Sequence, residues 1–390
     1  MDQSLALLIS IALILILLKF RIDIGISIFI GSMTLGFLTI GSDTFSRFVG
    51  VIISIDTIKL MAIFLLAFTL AYSMQELSLL DEFSNSVLSI FGRSSTFIIP
   101  ALVGLLPMPG GAIVSAVMLR NIVSTFKIRA EDVTYLNYWF RHVWATIDPI
   151  YPSVIIALAV LEISYLDLLK STYLITIAMI VSGSMFIRRF LGKHRGDRRL
   201  FGLIYLYPIL SVILLTVSGI YILYSLLISI AILYIHRRPG FDRLKVIAGK
   251  VFNVKMMILV LGLLFYKDLI NYTNSALRLL LNLSMLNIPL SLIAFIMSFL
   301  IGFATGIETG YSAIALPILS PFIGTGDDMI PKNLMLVFGA GLLGVMMSPL
   351  HLCLILTTEY YSADLGKVYR RLIPSGVVLM LIICILYVIA

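Results

Sequence analysis

Gly104-Leu105-Leu106-Pro107-Met108-Pro109-Gly110-Gly111-Ala112 lies inside an apolar run from about Thr96 to Met118. Two prolines and two glycines within the five residues 107–111 cannot continue a helix. Each proline removes a backbone donor, and each glycine opens dihedrals that other residues avoid. No charge lies close enough to make the break a surface loop. Irregular backbone at membrane depth is tolerated only where it is buried in protein or lines a cavity. The stretch therefore predicts a re-entrant hairpin whose tip builds a binding site.

The surrounding composition sets the solvent. The chain has 390 residues, 60% hydrophobic and 12% charged, whereas soluble domains carry about 25% charged residues. No soluble core hides that much apolar surface. The long continuous Ile/Leu/Val runs lack the two-residue alternation of a barrel, so the fold class is an all-α polytopic membrane protein. Ser4 to Leu18 lacks a basic start and a small-residue cleavage site, and it is read as the first span. Cys353 and Cys384 are the only cysteines. Both lie in apolar runs, are read as core thiols, and imply no disulfide or metal framework. The net charge of +8 is explained by its distribution rather than by a nucleic-acid partner.

Apolar segments predict spans near 3–18, 22–40, 59–76, 170–187, 201–218, 219–235, 255–270 and 373–389. Two interrupted spans, 134–162 and 333–359, bring the number to about ten. Hairpins are expected at 95–122 and 287–322, amphipathic stretches at 76–94 and 271–286, and a basic loop at 236–250. The basic segment 189–199 divides the chain into halves 1–188 and 200–390. With that linker placed in the cytoplasm, 21 Lys and Arg residues fall inside and six fall outside. This bias obeys the positive-inside rule and places both termini outside the cell membrane.

The halves repeat. Lys59-Leu60-Met61 matches Lys255-Met256-Met257, Gly104 matches Gly302, and Asp148-Pro149 matches Ser348-Pro349. The offsets are 196, 198 and 200 residues. One half enters from outside and the other from inside, so the repeats are expected to be inverted. Paired broken helices in inverted repeats point to a secondary transporter with its site at mid-membrane.

The chemistry is expected at the breaks. Pro107, Pro109, Gly110 and Gly111 form the first tip, and Ser115 lies in the first turn of the helix that follows. Free N–H groups at such a start attract an anion. Thr305, Gly306, Thr309 and Gly310 form the second tip. Asp148 and Glu308 are the two acidic residues in mid-span, where a carboxylate is costly and functional by default. Asp148 with Thr146, and Glu308, are read as ion-coupling residues for Na⁺ or H⁺. Arg141 is placed two turns before Asp148 on one helical face, suited to a substrate carboxylate. Ser348 and His351 follow the second break, and Tyr151 is the counterpart of His351. His142 is read as structural. No Walker, zinc-protease or nucleophile-elbow motif is present, so an enzyme is not expected. No cofactor is expected beyond Na⁺ as a candidate coupling ion.

The two hairpins and two broken helices resemble those of the ion transporter superfamily, which includes citrate, gluconate, dicarboxylate, arsenite and sodium–proton carriers. The Leu105–Ala112 run, with Ser348-Pro349-Leu350-His351-Leu352, resembles an uncharacterised branch, the domain-of-unknown-function 401 family. The resemblance covers nearly the whole chain. It implies a site built from Pro107–Ala112, Thr305–Gly310 and the breaks at Asp148 and Ser348. It also implies a scaffold that dimerises and an elevator-type movement. Pro-Met-Pro-Gly-Gly stands where sodium–dicarboxylate relatives carry a Ser-Asn-Thr tip.

The expected function is secondary active transport of a small organic anion, coupled to H⁺ or Na⁺. Its partners are that anion, the lipid bilayer and a second copy of the chain. Two other readings are carried: a cation–proton antiporter, and an intramembrane aspartyl-type enzyme in which Asp148 and Glu308 share a water.

Overall fold

The computed structural model describes residues 2–108, 110–192 and 200–389. Among the described residues all regular structure is helical. The first half contains α1 (Gln3–Lys19), α2 (Ile24–Ile40), α3 (Asp43–Ile52), α4 (Ile55–Glu76) and α5 (Leu79–Phe91). It continues with α6 (Ser95–Val103), α7 (Gly111–Thr125), α8 (Ala130–Arg141), α9 (Pro152–Leu161) and α10 (Tyr165–Ser184). The second half contains α11 (Tyr207–Val217), α12 (Ile222–Arg237), α13 (Phe241–Val251), α14 (Val254–Thr273) and α15 (Ser275–Ser284). It ends with α16 (Leu290–Thr305), α17 (Glu308–Ile323), α18 (Pro331–Met347), α19 (Leu352–Tyr361) and α20 (Leu365–Ile389).

Five helical stretches are long and apolar enough to cross a bilayer, or six if the bent pair α13–α14 counts as one. Shorter apolar helices, α1, α2 and α16 among them, fill out the bundle. The protein is thus an all-α polytopic membrane protein. Its helices differ in what they face. The most apolar window of α20 is 28% buried, against 61% for the stretch spanning α18 and α19. Leu381 and Ile385 of α20 project outward, as a lipid-facing stripe requires, while α18 is wrapped on all sides by α10, α16, α17 and α20.

Close helix approach depends on glycine at a few positions. A Cβ on Gly104 would overlap the Arg141 carbonyl, and a Cβ on Gly302 would overlap the Gly341 carbonyl. Small residues let backbones meet in this way. The first outgoing arm (α6) thus seats on α8, and the second (α16) seats on α18, through the same contact two hundred residues apart. The breaks repeat as well. Asp148 Oδ1 accepts from Ile150 N at 3.2 Å, and Ser348 Oγ accepts from Leu350 N at 3.2 Å. The return arm of each hairpin packs on the other half's broken helix, α17 against α9 and α7 against α19.

Several details depart from the sequence reading. The basic stretch 236–250 is not all loop, since α13 buries Ile247 and Val251 against Phe68 of α4. An additional helix, α3, occupies part of the stretch between the second and third spans. The first amphipathic stretch does not stop before the hairpin. Instead α5 runs through the 3-10 turn Gly92–Ser94 into α6. The largest difference is in the first broken span. It starts at Ala130, and α8 ends at Arg141, leaving ten non-helical residues before α9. Arg141 and Asp148 therefore do not share a helical face. The linker residues 193–199 lie outside the described residues.

Ion pairs order one end of the bundle. Asp132, which is buried, is held between Arg189 and Arg371. Glu82 meets Arg237, and Glu76 meets Lys250. At the opposite end Arg47 pairs with Asp268 and Lys267 pairs with Glu162. Ser4 near the N-terminus bonds Asn282, and Tyr387 near the C-terminus bonds Asn333.

Candidate functional site

The two tips form differently. At the second, α16 ends on Gly306 in the left-handed region, φ +63°, and α17 restarts at Glu308. A Cβ on Gly306 would sit 3.0 Å from His351 N and from Ser348 Oγ, so this tip lies directly on the second break. Glu308 is the first residue of α17, where the positive helix start favours a carboxylate. At the first tip, Gly110 takes φ +75° and α7 begins at Gly111 without a side-chain cap. A Cβ on Gly111 would overlap the Arg141 guanidinium. Only glycine lets that side chain lie against the start of α7. Pro107 is buried beside the tip, and Pro109 lies outside the described residues.

Between the tips the second half's Glu308 meets the first half. Tyr151 O–H donates to Glu308 Oε1 at 3.2 Å. His142 Nε2 lies 3.3 Å from the same oxygen and 3.1 Å from His351 Nε2. His142 Nδ1 is 2.6 Å from the Tyr138 carbonyl oxygen. Carbonyl oxygens only accept, so Nδ1 carries a hydrogen. Tyr138 donates in turn to the Val345 and Met346 carbonyls at the end of α18. Tyr151, Glu308, His142 and His351 thus form one chain joining both halves, its histidines buried and its other two members half-buried.

Arg141 lies next to this chain. It is 6% exposed, and its Nη1 has no hydrogen-bond partner. Among the described residues it makes no salt bridge, although its guanidinium lies beside the Cys353 sulfur. A buried guanidinium at a positive helix start is an unbalanced arrangement. Isolated buried charge is costly, and such groups are normally paired. Arg141 Nη1 thus remains a buried donor without a partner, lying against the start of α7.

Asp148 has different surroundings. It is 2% exposed, and its Oδ2 has no partner. Three carbonyls of the break accept side-chain hydroxyls. Ser153 donates to Ala145 O, Thr172 to Thr146 O and Tyr165 to Ile147 O. The Thr146 hydroxyl faces Thr176 at 3.3 Å. Among the described residues, Asp148 and Glu308 share no hydrogen-bonding partner.

The remaining sequence candidates divide by what their hydroxyls do. Ser115 donates to Asn137 Oδ1 at 2.7 Å, and Asn137 Nδ2 reaches Ala112 O and Thr357. Ser115 is thereby committed to holding the first hairpin. Thr305 bonds Gly302 O and Ile307 O, packing under Gly310. Thr309 is partly exposed beside Glu308. Ser348 spends its acceptor on Leu350 N.

Sequence reasoning passed over Asn137 and Tyr138, read His142 as structural, and read Cys353 as a core thiol. A signal was present for the first three. Tyr138-Trp139-Phe140-Arg141-His142 follows Asn137 in a segment rich in polar and aromatic residues, and Asp132 to Arg141 are all buried. A helix so polar and so enclosed faces other polar groups rather than lipid.

A cavity of about 1100 Å³ opens elsewhere, at the end where Arg47 pairs with Asp268. Arg47, Asp56, Lys59, Glu162, Lys267 and Tyr165 line it, and His142, Glu308 and His351 do not. Tyr165 links its wall to Ile147 O, one residue from Asp148.

Comparison with solved structures matches this chain to the YdaH transporter of Alcanivorax borkumensis, described as having an unusual topology. The match has a TM-score of 0.56 at 13% identity and covers 99% of this chain and 98% of that one. The two share a fold. No curated protein matches. A family model described as "Protein of unknown function (DUF401)" matches residues 1–389, and the chain accordingly belongs to the DUF401 family.

Proposed function

We propose that this protein is a secondary active transporter of a small organic anion in the cell membrane, built from two inverted repeats as in the ion transporter superfamily. One observation carries the reading: Arg141 is buried with an unpartnered Nη1 against the uncapped start of α7. An anion supplies the missing partner to both the guanidinium and the helix start. The whole-length fold match to a chain named as a transporter is consistent with it. So is the repeated seating of Gly104 and Gly302.

The coupling ion is the proton. The three carbonyls just before Asp148, those of Ala145, Thr146 and Ile147, already accept hydroxyls, which leaves fewer oxygens to cage Na⁺. Glu308, His142 and His351 instead form a run of proton-exchanging groups next to the anion pocket. The cavity at the Arg47 end is the access path in this state, and that end faces outward with both termini. The anion pocket moves relative to a dimerising scaffold. Uptake of labelled mono-, di- and tricarboxylates by proteoliposomes, under imposed pH or Na⁺ gradients, tests the reading. Uptake driven by a pH gradient is expected. Absence of uptake for every carboxylate, or a drive from Na⁺ alone, overturns it.

A further inference from the structure

Three side chains with metal-ligating atoms meet beside Arg141. His142, His351 and Cys353 each place one ligand atom within 4.8 Å of the others. The two Nε2 atoms lie 3.1 Å apart, and the rings are perpendicular, at 90°. Two nitrogens bound to one tetrahedral metal at about 2.0–2.1 Å are separated by about 3.3 Å. The hydrogen on His142 Nδ1 is committed to the Tyr138 carbonyl. In the neutral ring, Nε2 therefore presents a lone pair, and that lone pair faces both His351 Nε2 and Glu308 Oε1. Metal-bound imidazoles characteristically donate their other N–H to a backbone carbonyl in this way. A second proton on His142 is the competing way to satisfy the same contacts.

We propose that His142, His351 and Cys353, with the Glu308 carboxylate beside them, bind a divalent d-block cation of the zinc class. Nitrogen and sulfur donors select such ions over Na⁺, Mg²⁺ or Ca²⁺. The sulfur, within 4.8 Å of both imidazole ligand atoms, has to close up on the metal by a side-chain rotation in the first turn of α19. A thiolate and the Glu308 carboxylate together balance the two charges of the metal, which leaves the Arg141 charge to the anion. Protons and metal compete for the same atoms, so binding releases protons. The inference rests on the cluster itself and not on transport, so a failed uptake assay leaves it standing.

The test is titration of the purified, detergent-solubilised protein with Co²⁺, followed by visible and near-ultraviolet absorption. Expected are tetrahedral d–d bands and a thiolate charge-transfer band that saturate at one equivalent per chain, vanish with Zn²⁺ and are unaffected by Mg²⁺. Cys353→Ser loses the charge-transfer band and keeps weaker d–d absorption. His351→Asn loses stoichiometric binding and the rise in unfolding temperature that Zn²⁺ gives the native protein. Glu308→Gln weakens binding by roughly tenfold, as loss of a neighbour to the ligand set does. If His351→Asn does not fold, the Cys353→Ser spectrum decides alone. Native protein without tetrahedral absorption, or a variant spectrum identical to native in every band, overturns the proposal and leaves the doubly protonated His142.

Discussion

Replacing Arg141 by Met separates a ligand-binding arginine from a structural one. The side chain is 6% exposed, has a free Nη1 and forms no salt bridge among the described residues. Met retains much of the volume and removes the charge. A structural arginine in a buried pair leaves an orphaned partner when removed, at a cost of about 3–5 kcal/mol. Arg141 has no such partner, so the ligand-free protein is expected to hold or gain stability. Binding behaves oppositely. A hydrogen bond to a charged group is worth about 1.5–3 kcal/mol, which lowers carboxylate affinity roughly 10- to 150-fold. Arg141→Lys keeps the charge without the fork and falls between the two. Thermal unfolding in detergent, with and without each carboxylate transported by the native protein, reads both quantities. A destabilised ligand-free Arg141→Met with unchanged carboxylate response refutes the reasoning.

Three other perturbations follow from the same contacts. Gly104→Ala and Gly302→Ala each drive a Cβ into a backbone carbonyl, and overpacking of this kind costs about 1–3 kcal/mol. Both lower the unfolding temperature, whereas Gly50→Ala, with nothing within 4 Å, does not. Asn137→Ala removes hydrogen bonds to Ser115, Ala112 O and Thr357 at once, each worth about 0.5–1.5 kcal/mol. A large drop in thermal stability is expected, and a drop no greater than that of a surface Asn121→Ala control counts against the role assigned to Asn137. Glu308→Gln keeps the shape and the acceptor for Tyr151 but loses the ionisable group, so counterflow exchange persists while uptake driven by a pH gradient disappears. Retained pH-driven uptake in proteoliposomes removes Glu308 from the coupling role.

Much of the architecture was legible because the bilayer permits so few solutions. Unsatisfied backbone is intolerable in hydrocarbon, so the Pro-Gly break at 107–111 and the Gly306 break had to be hairpins or unwound helices inside protein. The same constraint made the mid-span acids Asp148 and Glu308 conspicuous. Periodicity failed at the first broken helix. Nothing in His142-Val143-Trp144-Ala145-Thr146-Ile147 forbids helix as proline does. Its unwinding depends on distant hydroxyls, those of Ser153, Tyr165 and Thr172, which take up the freed carbonyls.

The sequence by itself determined the solvent, the all-helical class and the breaks at 107–111, Gly306 and Ser348, but not where the first broken helix unwinds. Each of these follows from local composition and from the cost of unsatisfied backbone in lipid. Only the tertiary structure decided which polar groups meet. It set Arg141 against Gly111 rather than along a face with Asp148. It gave Asp148 and Glu308 different partners among the described residues, and it joined Glu308 to His142 and His351. Those meetings are made by contacts between residues up to about two hundred positions apart, fixed by glycine-sized clearances between helices, and no local pattern records them.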